Sequence, residues 1–245
     1  MIQFSEIKKP SDIPVFPLGL SFFDPYLEHY TKEVLDVGGE VYTAEDSENI
    51  LGVLMYDGYE KTGCIYTRSR EIFDHFCSLK PSSFLYAEID ASDIPREVFN
   101  IQTLNLEGAT INHGFRYEVS SPTPKEIERF MLATHPNVNP LWSHVALMNG
   151  EKCFVVKPDG KIVGCAWVSL VNRIGWLHTQ YVKPQYRRIG IATDLFYARL
   201  LWLKMKGAKS VFSEISVNNI ASSGVEKKAN MLPCGGRVYM YLTQQ

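Results

Sequence analysis

The chain has little that would tie it to nucleic acid, a membrane or an oxidising compartment. Its 245 residues carry 25 Lys and Arg against 27 Asp and Glu, a formal net charge of −2. That leaves no basic excess to neutralise a phosphate backbone, so nucleic acid is not expected as a main partner. No stretch approaches the roughly 18 apolar residues that a spanning helix needs. Met1–Ser5 lacks the basic segment and following apolar stretch of a secretion signal. The five cysteines, Cys64, Cys77, Cys153, Cys165 and Cys234, are odd in number and form no C-x-x-C. They read as reduced, mostly buried thiols, which argues against a disulfide framework. A soluble, cytoplasmic protein without a membrane partner is the expectation.

Several catalytic signatures are missing too. Neither G-x-x-x-x-G-K-S/T nor G-x-G-x-x-G occurs, so ATP and dinucleotides are poor ligand candidates. No serine sits in a G-x-S-x-G elbow. His29, His75 and His113 have no metal-ligand spacing, and no metal is expected.

What is there is ordinary globular composition, 45% hydrophobic and 21% charged, enough for a sizeable core in one or two domains. Short apolar runs alternate with amphipathic stretches, which predicts an α/β fold with a mixed sheet. Helices are expected over Pro25–Val37, Ser69–Leu79 with Ser69 as N-cap, Lys125–Thr134, Gly190–Lys206 and Asn219–Ala229. Strands are expected at Glu40–Ala44, Ile50–Tyr56, Gly63–Thr67, Ser83–Ile89, Lys152–Lys157, Lys161–Val171, Gly175–Val182, Ser210–Val217 and Arg237–Thr243. One or two more strands are expected within Asn105–Val119. The break Ser120-Ser121-Pro122-Thr123-Pro124 divides the chain into residues 1–119 and 120–245.

These two parts echo each other. Ile50-Leu51-Gly52-Val53 resembles Ile162-Val163-Gly164-Cys165, and Gly38, Gly63 and Thr67 also meet Gly150, Gly175 and Thr179 at the same offset of 112. Ala87-Glu88-Ile89 meets Ser213-Glu214-Ile215 at an offset of 126, so the second half holds 14 more residues between its strands. The extra length falls in Lys183–Lys209, which contains a glycine loop and a long helix. A tandem repeat is expected, with the first copy lacking the loop.

That loop carries the chemistry. In Tyr181-Val182-Lys183-Pro184-Gln185-Tyr186-Arg187-Arg188-Ile189-Gly190-Ile191-Ala192-Thr193 a strand ends, a turn follows and a helix begins. A helix N-terminus offers free N–H groups and the positive end of its dipole. Gly190 lets a ligand approach the backbone, and Ala192 stays small. Residue types alone leave two readings level, a diphosphate site and a plain strand-to-helix turn with a solvated arginine pair.

The run Val182-x-Pro184-x-x-Arg187-x-x-Gly190-x-Ala192 resembles the pyrophosphate-binding motif of the GNAT acyltransferase superfamily, whose core is Q/R-x-x-G-x-G/A. Gly164 and Asn219-x-x-Ser222 stand where that family has them, and the resemblance covers Lys125–Leu242. It implies two tandem GNAT-like units, the first degenerate and the second functional. It implies acetyl-CoA as cofactor, its pyrophosphate held by the N–H groups of Arg188, Ile189, Gly190, Ile191, Ala192 and Thr193 beside Arg187. Tyr181 and Val182 would hold the pantetheine arm and polarise the thioester carbonyl, with Asn219 and Ser222 lining the thiol end. Many members carry Tyr seven residues after the Asn as proton donor; here Glu226 stands there, next to Lys227 and Lys228, and a solvated helix face is expected for it. Ser222, Ser223, Tyr197 and water remain as donors. Glu214 and His178, on neighbouring strands, are the candidate bases.

The expected reaction is direct acetyl transfer to a primary amine of a small-molecule or peptide acceptor. The alternative is a non-catalytic coenzyme A sensor or scaffold. A homodimer is compatible with either.

Overall fold

The computed structural model describes residues 2–14, 24–47, 49–80, 84–87 and 97–242. In chain order the elements are β1 (Gln3–Ile7), α1 (Asp24–Asp36), β2 (Glu40–Glu45), β3 (Ile50–Asp57), β4 (Thr62–Thr67), α2 (Arg70–Leu79), β5 (Phe84–Ala87), β6 (Glu97–Asn105), β7 (Val119–Ser120), α3 (Pro124–Thr134), α4 (Trp142–Met148), β8 (Lys152–Val156), β9 (Gly164–Val171), β10 (Ile174–Val182), α5 (Ile191–Met205), β11 (Ser210–Ser216), α6 (Ile220–Lys228) and β12 (Leu232–Leu242). They pack as two compact units. One is Met1–Asn100 with Asn137–Val145 and Gly235–Gln245; the other is Ile101–Pro136 with Ala146–Cys234.

In the first unit β1, β2, β3 and β4 run antiparallel in sequence, and β5 lies parallel to β4. A parallel neighbour requires a crossover, which α2 supplies. Ser69 starts that helix: its side chain accepts from the N–H of Ile72, an N-cap of the ordinary kind. Ile72, Phe73 and Phe76 on one face of α2 pack against Leu54, Ile65 and Leu85 of the sheet. Gly52 permits this approach, since a Cβ there would lie 2.7 Å from Ile72 Cγ2.

The second unit repeats the plan. β7, β8, β9 and β10 are antiparallel, and β11 is parallel to β10. Helix α5 is the crossover. Its Leu195 and Ile191 pack on Val163, Ala166 and Val182, and its Phe196, Leu200 and Leu203 on Val168, Leu177 and Val211. Gly164 takes the place of Gly52: a Cβ there would lie 3.0 Å from Ile191 Cγ2 and 3.2 Å from Leu195 Cδ1. Helix α3 begins with a capping box in which Thr123 and Glu126 satisfy each other's backbone N–H groups.

Strands β2 and β8 start at Glu40 and Lys152, β4 and β10 at Thr62 and Ile174, and β5 and β11 at Phe84 and Ser210. These are the offsets of the sequence echo, 112 for the two antiparallel pairs named and 126 after the crossover. Of the echo residues, Glu88 and Ile89 lie outside the described residues, as do Ser83 and Thr243 at the edges of expected strands.

One expectation fails. Between β6 and β7, residues 106–118 form no strand. Their backbone groups go elsewhere: Leu106 N donates to Lys209 O at 2.7 Å, and Arg116 N and Tyr117 N donate to the Asp194 carboxylate on α5 at 3.0 and 2.9 Å. A ladder cannot form from N–H groups already committed to a side chain.

Candidate active site

Strands β10 and β11 are paired only at their starts. Ile174, Gly175, Trp176 and Leu177 match Ser210, Val211, Phe212 and Ser213, and the pairing stops there. β10 continues to Val182 against β9, with an irregularity between His178 and Tyr181. Thr179 is left-handed within it, at φ 43°. The bulge turns β10 away from β11, as an inserted residue does. The strands therefore open a gap beyond Leu177 and Ser213.

Arg199 of α5 holds the bulge from below. It is buried, and its Nη1 donates to the carbonyls of Trp167 at 3.1 Å and His178 at 3.3 Å. Its Nη2 donates to the Gln180 side chain. Burial lowers its pKa to about 10, so the guanidinium still carries its charge at neutral pH.

Past Val182 the chain makes a short 3₁₀ turn, Pro184–Tyr186. Arg187 then folds back: its Nε donates to Val182 O at 2.9 Å, and its guanidinium carbon lies 5.8 Å from the Tyr181 ring centre. Arg188 is left-handed at φ 69° and exposed. Ile189 is 43% exposed. Gly190, at φ 106°, is the N-cap of α5 and has no side chain to cap it. Ile191 is buried in the core while Ala192 and Thr193 are half-buried. The first-turn N–H groups of α5 have no acceptor within the helix, so this end is an open set of donors with the dipole behind it. The matching end of α2 is closed by its own Ser69.

Asn219 and Ser222 meet at the start of α6, where Asn219 Oδ1 accepts from Ser222 N at 3.1 Å. Asn219 thus caps the helix that follows the open end of β11.

His178 and Glu214 are the first residues beyond the paired segment on β10 and β11. Leu177 packs with Phe196 and Leu200 of α5, and Ser213 reaches Glu226 of α6. Side chains alternate along a strand, so His178 and Glu214 share the opposite face. The His178 ring stacks on Trp176 at 4.4 Å, and its Nε2 lies 3.2 Å from the buried carboxylate of Glu151. Glu214 is half-buried.

Residues 117–228 match the family model for Acetyltransferase (GNAT) family. The chain carries a GNAT acetyltransferase domain. It is an acyltransferase. Over 138 residues it is 26% identical to a protein of Bacillus subtilis (strain 168) named "Putative [ribosomal protein bS18]-alanine N-acetyltransferase", covering 56% of this chain and 84% of that one. Among solved structures it is similar to a tandem GNAT protein from the clavulanic acid biosynthesis pathway, with TM-score 0.64 and 13% identity over 100% of this chain and 99% of that one. It is also similar to a GNAT-family acetyltransferase from Colwellia psychrerythraea, with TM-score 0.59 and 10% identity over 99% and 100%. Both are GNAT folds, and the first is a tandem GNAT protein, the arrangement expected from the internal echo.

Within the GNAT domain one reading needs correction. Glu226 does not lie on a solvated helix face. It is 6% exposed, facing inward while Lys227 and Lys228 face out. Its Oε1 accepts from Ser213 Oγ at 2.5 Å, and its Oε2 has no partner among the described residues. Burial lifts its pKa to about 7, against the opposing pull of Ser213 and Arg199.

Two other participants escaped sequence reasoning. Arg199 carries no motif; a lone arginine at an apolar position of α5 was the available signal. Arg116 lies far from the loop in sequence, yet its side chain covers Gly190, and nothing local marks it.

Proposed function

We propose that this chain moves an acetyl group from acetyl-CoA to a primary amine by direct transfer. The observation that carries the reading is the gap between β10 and β11, which leads to the uncapped end of α5 behind a left-handed Gly190. The gap suits an extended pantetheine arm and the helix end suits a diphosphate. Gly190 itself adds no side chain between the donor and the helix end.

In this reading the N–H groups of Arg188, Ile189, Gly190, Ile191, Ala192 and Thr193 hold the pyrophosphate. Arg187 fixes the turn that presents them. Tyr181 and Val182 bind the pantetheine through their backbone, and an N–H of that pair faces the thioester oxygen as charge develops. Asn219 and Ser222 line the thiol end. The amine nitrogen forms a bond to the thioester carbon, the carbon–sulfur bond breaks, and coenzyme A leaves as thiolate. Glu214 or His178 takes the amine's proton. Glu226, a carboxyl that burial keeps largely protonated below pH 7, is suited to return a proton to the sulfur.

No acyl-enzyme is invoked. Cys153 and Cys165 are buried and their thiols are raised, Cys165 to about 12, so neither supplies a thiolate near neutrality. The amine is that of a small molecule or a peptide. The name of the Bacillus subtilis relative, an alanine N-acetyltransferase acting on a ribosomal protein, supports a peptide amine. The first unit, whose helix is closed by Ser69, takes no donor. The degenerate copy lies within residues 1–119 and the acting one within 120–245, the segment 101–119 packing with the acting unit. The protein works in the cytoplasm.

Isothermal titration with acetyl-CoA, beside Gly190→Glu, tests the donor site, and turnover with a panel of amines tests the reaction. Binding by the parent alone, followed by release of free coenzyme A with an amine, is expected. Binding without turnover on any amine establishes instead a coenzyme A sensor or scaffold. No binding of any acyl-CoA overturns the reading.

A further inference from the structure

A second cation waits at the donor site. The Arg116 side chain crosses over Gly190: a Cβ placed on the glycine would lie 3.2 Å from Arg116 Cδ, 3.6 Å from Nη1 and 3.8 Å from Nε. Arg116 is exposed, and among the described residues its guanidinium makes no hydrogen bond or ion pair. Arg187, the arginine of the motif, has already spent its Nε on Val182 O.

The backbone beneath Arg116 is not left to chance. Asp194 is buried, 1% exposed, in the helix that carries the open N-terminus. Its Oδ2 accepts from Arg116 N at 3.0 Å and Tyr117 N at 2.9 Å, and its Oδ1 lies 2.7 Å from His113 Nε2. The His113 ring stacks on Tyr197, also of α5, at 4.2 Å and 10°. One carboxylate thus ties the segment 113–117 to the first turns of α5. A fully partnered buried carboxylate sets a rigid register, and here the register places one free guanidinium above the loop.

We propose that Arg116 makes a direct charge contact with a phosphate of the acyl-CoA donor, and that Asp194 is the residue that positions it. The inference rests on the donor site proposed above and adds a ligand that lies outside the loop motif. The chemistry is that of a planar guanidinium with a phosphate, which forms two parallel hydrogen bonds where an ammonium forms a single point contact. In the free protein the same side chain covers the glycine, and the donor's phosphate replaces solvent around it.

The test compares Kd values for acetyl-CoA, acetyl-dephospho-CoA and S-acetylpantetheine, the last without any phosphate, in the parent, Arg116→Ala and Arg116→Lys. Arg116→Ala should weaken acetyl-CoA about tenfold or more, the size of a lost charge-assisted bond, and leave S-acetylpantetheine unchanged. Arg116→Lys should recover part of the loss. An equal loss for acetyl-CoA and the dephospho form places the contact on the diphosphate; a loss confined to acetyl-CoA places it on the 3′-phosphate. Asp194→Asn should reproduce the phosphate-dependent loss, and combining it with Arg116→Ala should add little, since one contact cannot be lost twice. Unchanged affinity in Arg116→Ala, or equal loss for S-acetylpantetheine, overturns the inference while leaving the donor site standing. A parent that binds no acyl-CoA overturns both.

Discussion

Ser213 Oγ donates to Glu226 Oε1 across 2.5 Å at the point where β10 and β11 part. Ser213 is the last paired residue of β11, and Glu226 comes from the inward side of α6. The Arg199 guanidinium adds its charge from α5. Burial still dominates and raises the Glu226 carboxyl to about 7. The pair therefore sits at the inner end of the gap with a removable proton.

That proton makes stability depend on pH. A carboxyl raised in the folded state binds more protons there than in the unfolded chain, between its ordinary value of 4.5 and about 7. The associated stability is fully present below pH 4.5 and is lost as pH rises through 7. Glu226→Gln cannot titrate. The melting temperature of the parent should fall relative to Glu226→Gln between pH 5 and 8. A parent that gains on the variant over that range contradicts the assignment.

Removing one buried charge and removing both should differ sharply. Arg199→Met strips the donors from Trp167 O and His178 O and leaves Glu226 without its cation. Leaving buried acceptors without their donor costs about 1–3 kcal/mol. Arg199→Met combined with Glu226→Leu removes both charges and should recover at least about 1 kcal/mol of that loss, measured by urea unfolding. Strict additivity of the two single effects would mean that the charges do not interact.

Much of this fold is readable from residue order because its determinants are local. Ser69 before Ile72, Phe73 and Phe76 announces α2; Gly190 and Ala192 after Val182-x-Pro184 announce the loop and α5. Gly52 and Gly164 mark equivalent positions because a helix must pack against each. What was not readable depends on distant partners. Arg116 meets Gly190 only because Asp194 fixes the segment 113–117, and the same carboxylate takes the N–H groups that strands in 105–119 would have needed. Lys227 and Lys228 beside Glu226 suggest a solvated face, whereas Ser213, thirteen residues earlier in the chain, holds it inward.

Gly190→Ala isolates backbone from bulk. At φ 106° an L side chain is strained by roughly 1–2 kcal/mol, and the new Cβ would press on Arg116 Cδ at 3.2 Å. The variant should fold with a slightly lower melting temperature and bind acetyl-CoA at least tenfold more weakly. Parent-like affinity would mean that neither the left-handed cap nor the missing side chain at this position matters to the donor.

The choice between Glu214 and His178 follows from their shared face and different surroundings. Both lie one residue past the last paired position, opposite α5 and α6. His178 is held by Trp176 and by Glu151 at 3.2 Å, so its ring is oriented and has a carboxylate behind it. Glu214 is half-buried at the open end of β11. A base that accepts a proton in the transition state contributes about 10²–10⁴ in rate. Glu214→Gln should lower kcat by that factor with the acetyl-CoA KM nearly unchanged. If the loss instead follows His178→Gln and spares Glu214→Gln, the histidine is the base, and Glu151→Gln should then reduce kcat as well by releasing the ring. If neither variant changes kcat, the amine reaches the thioester already deprotonated and both assignments fall.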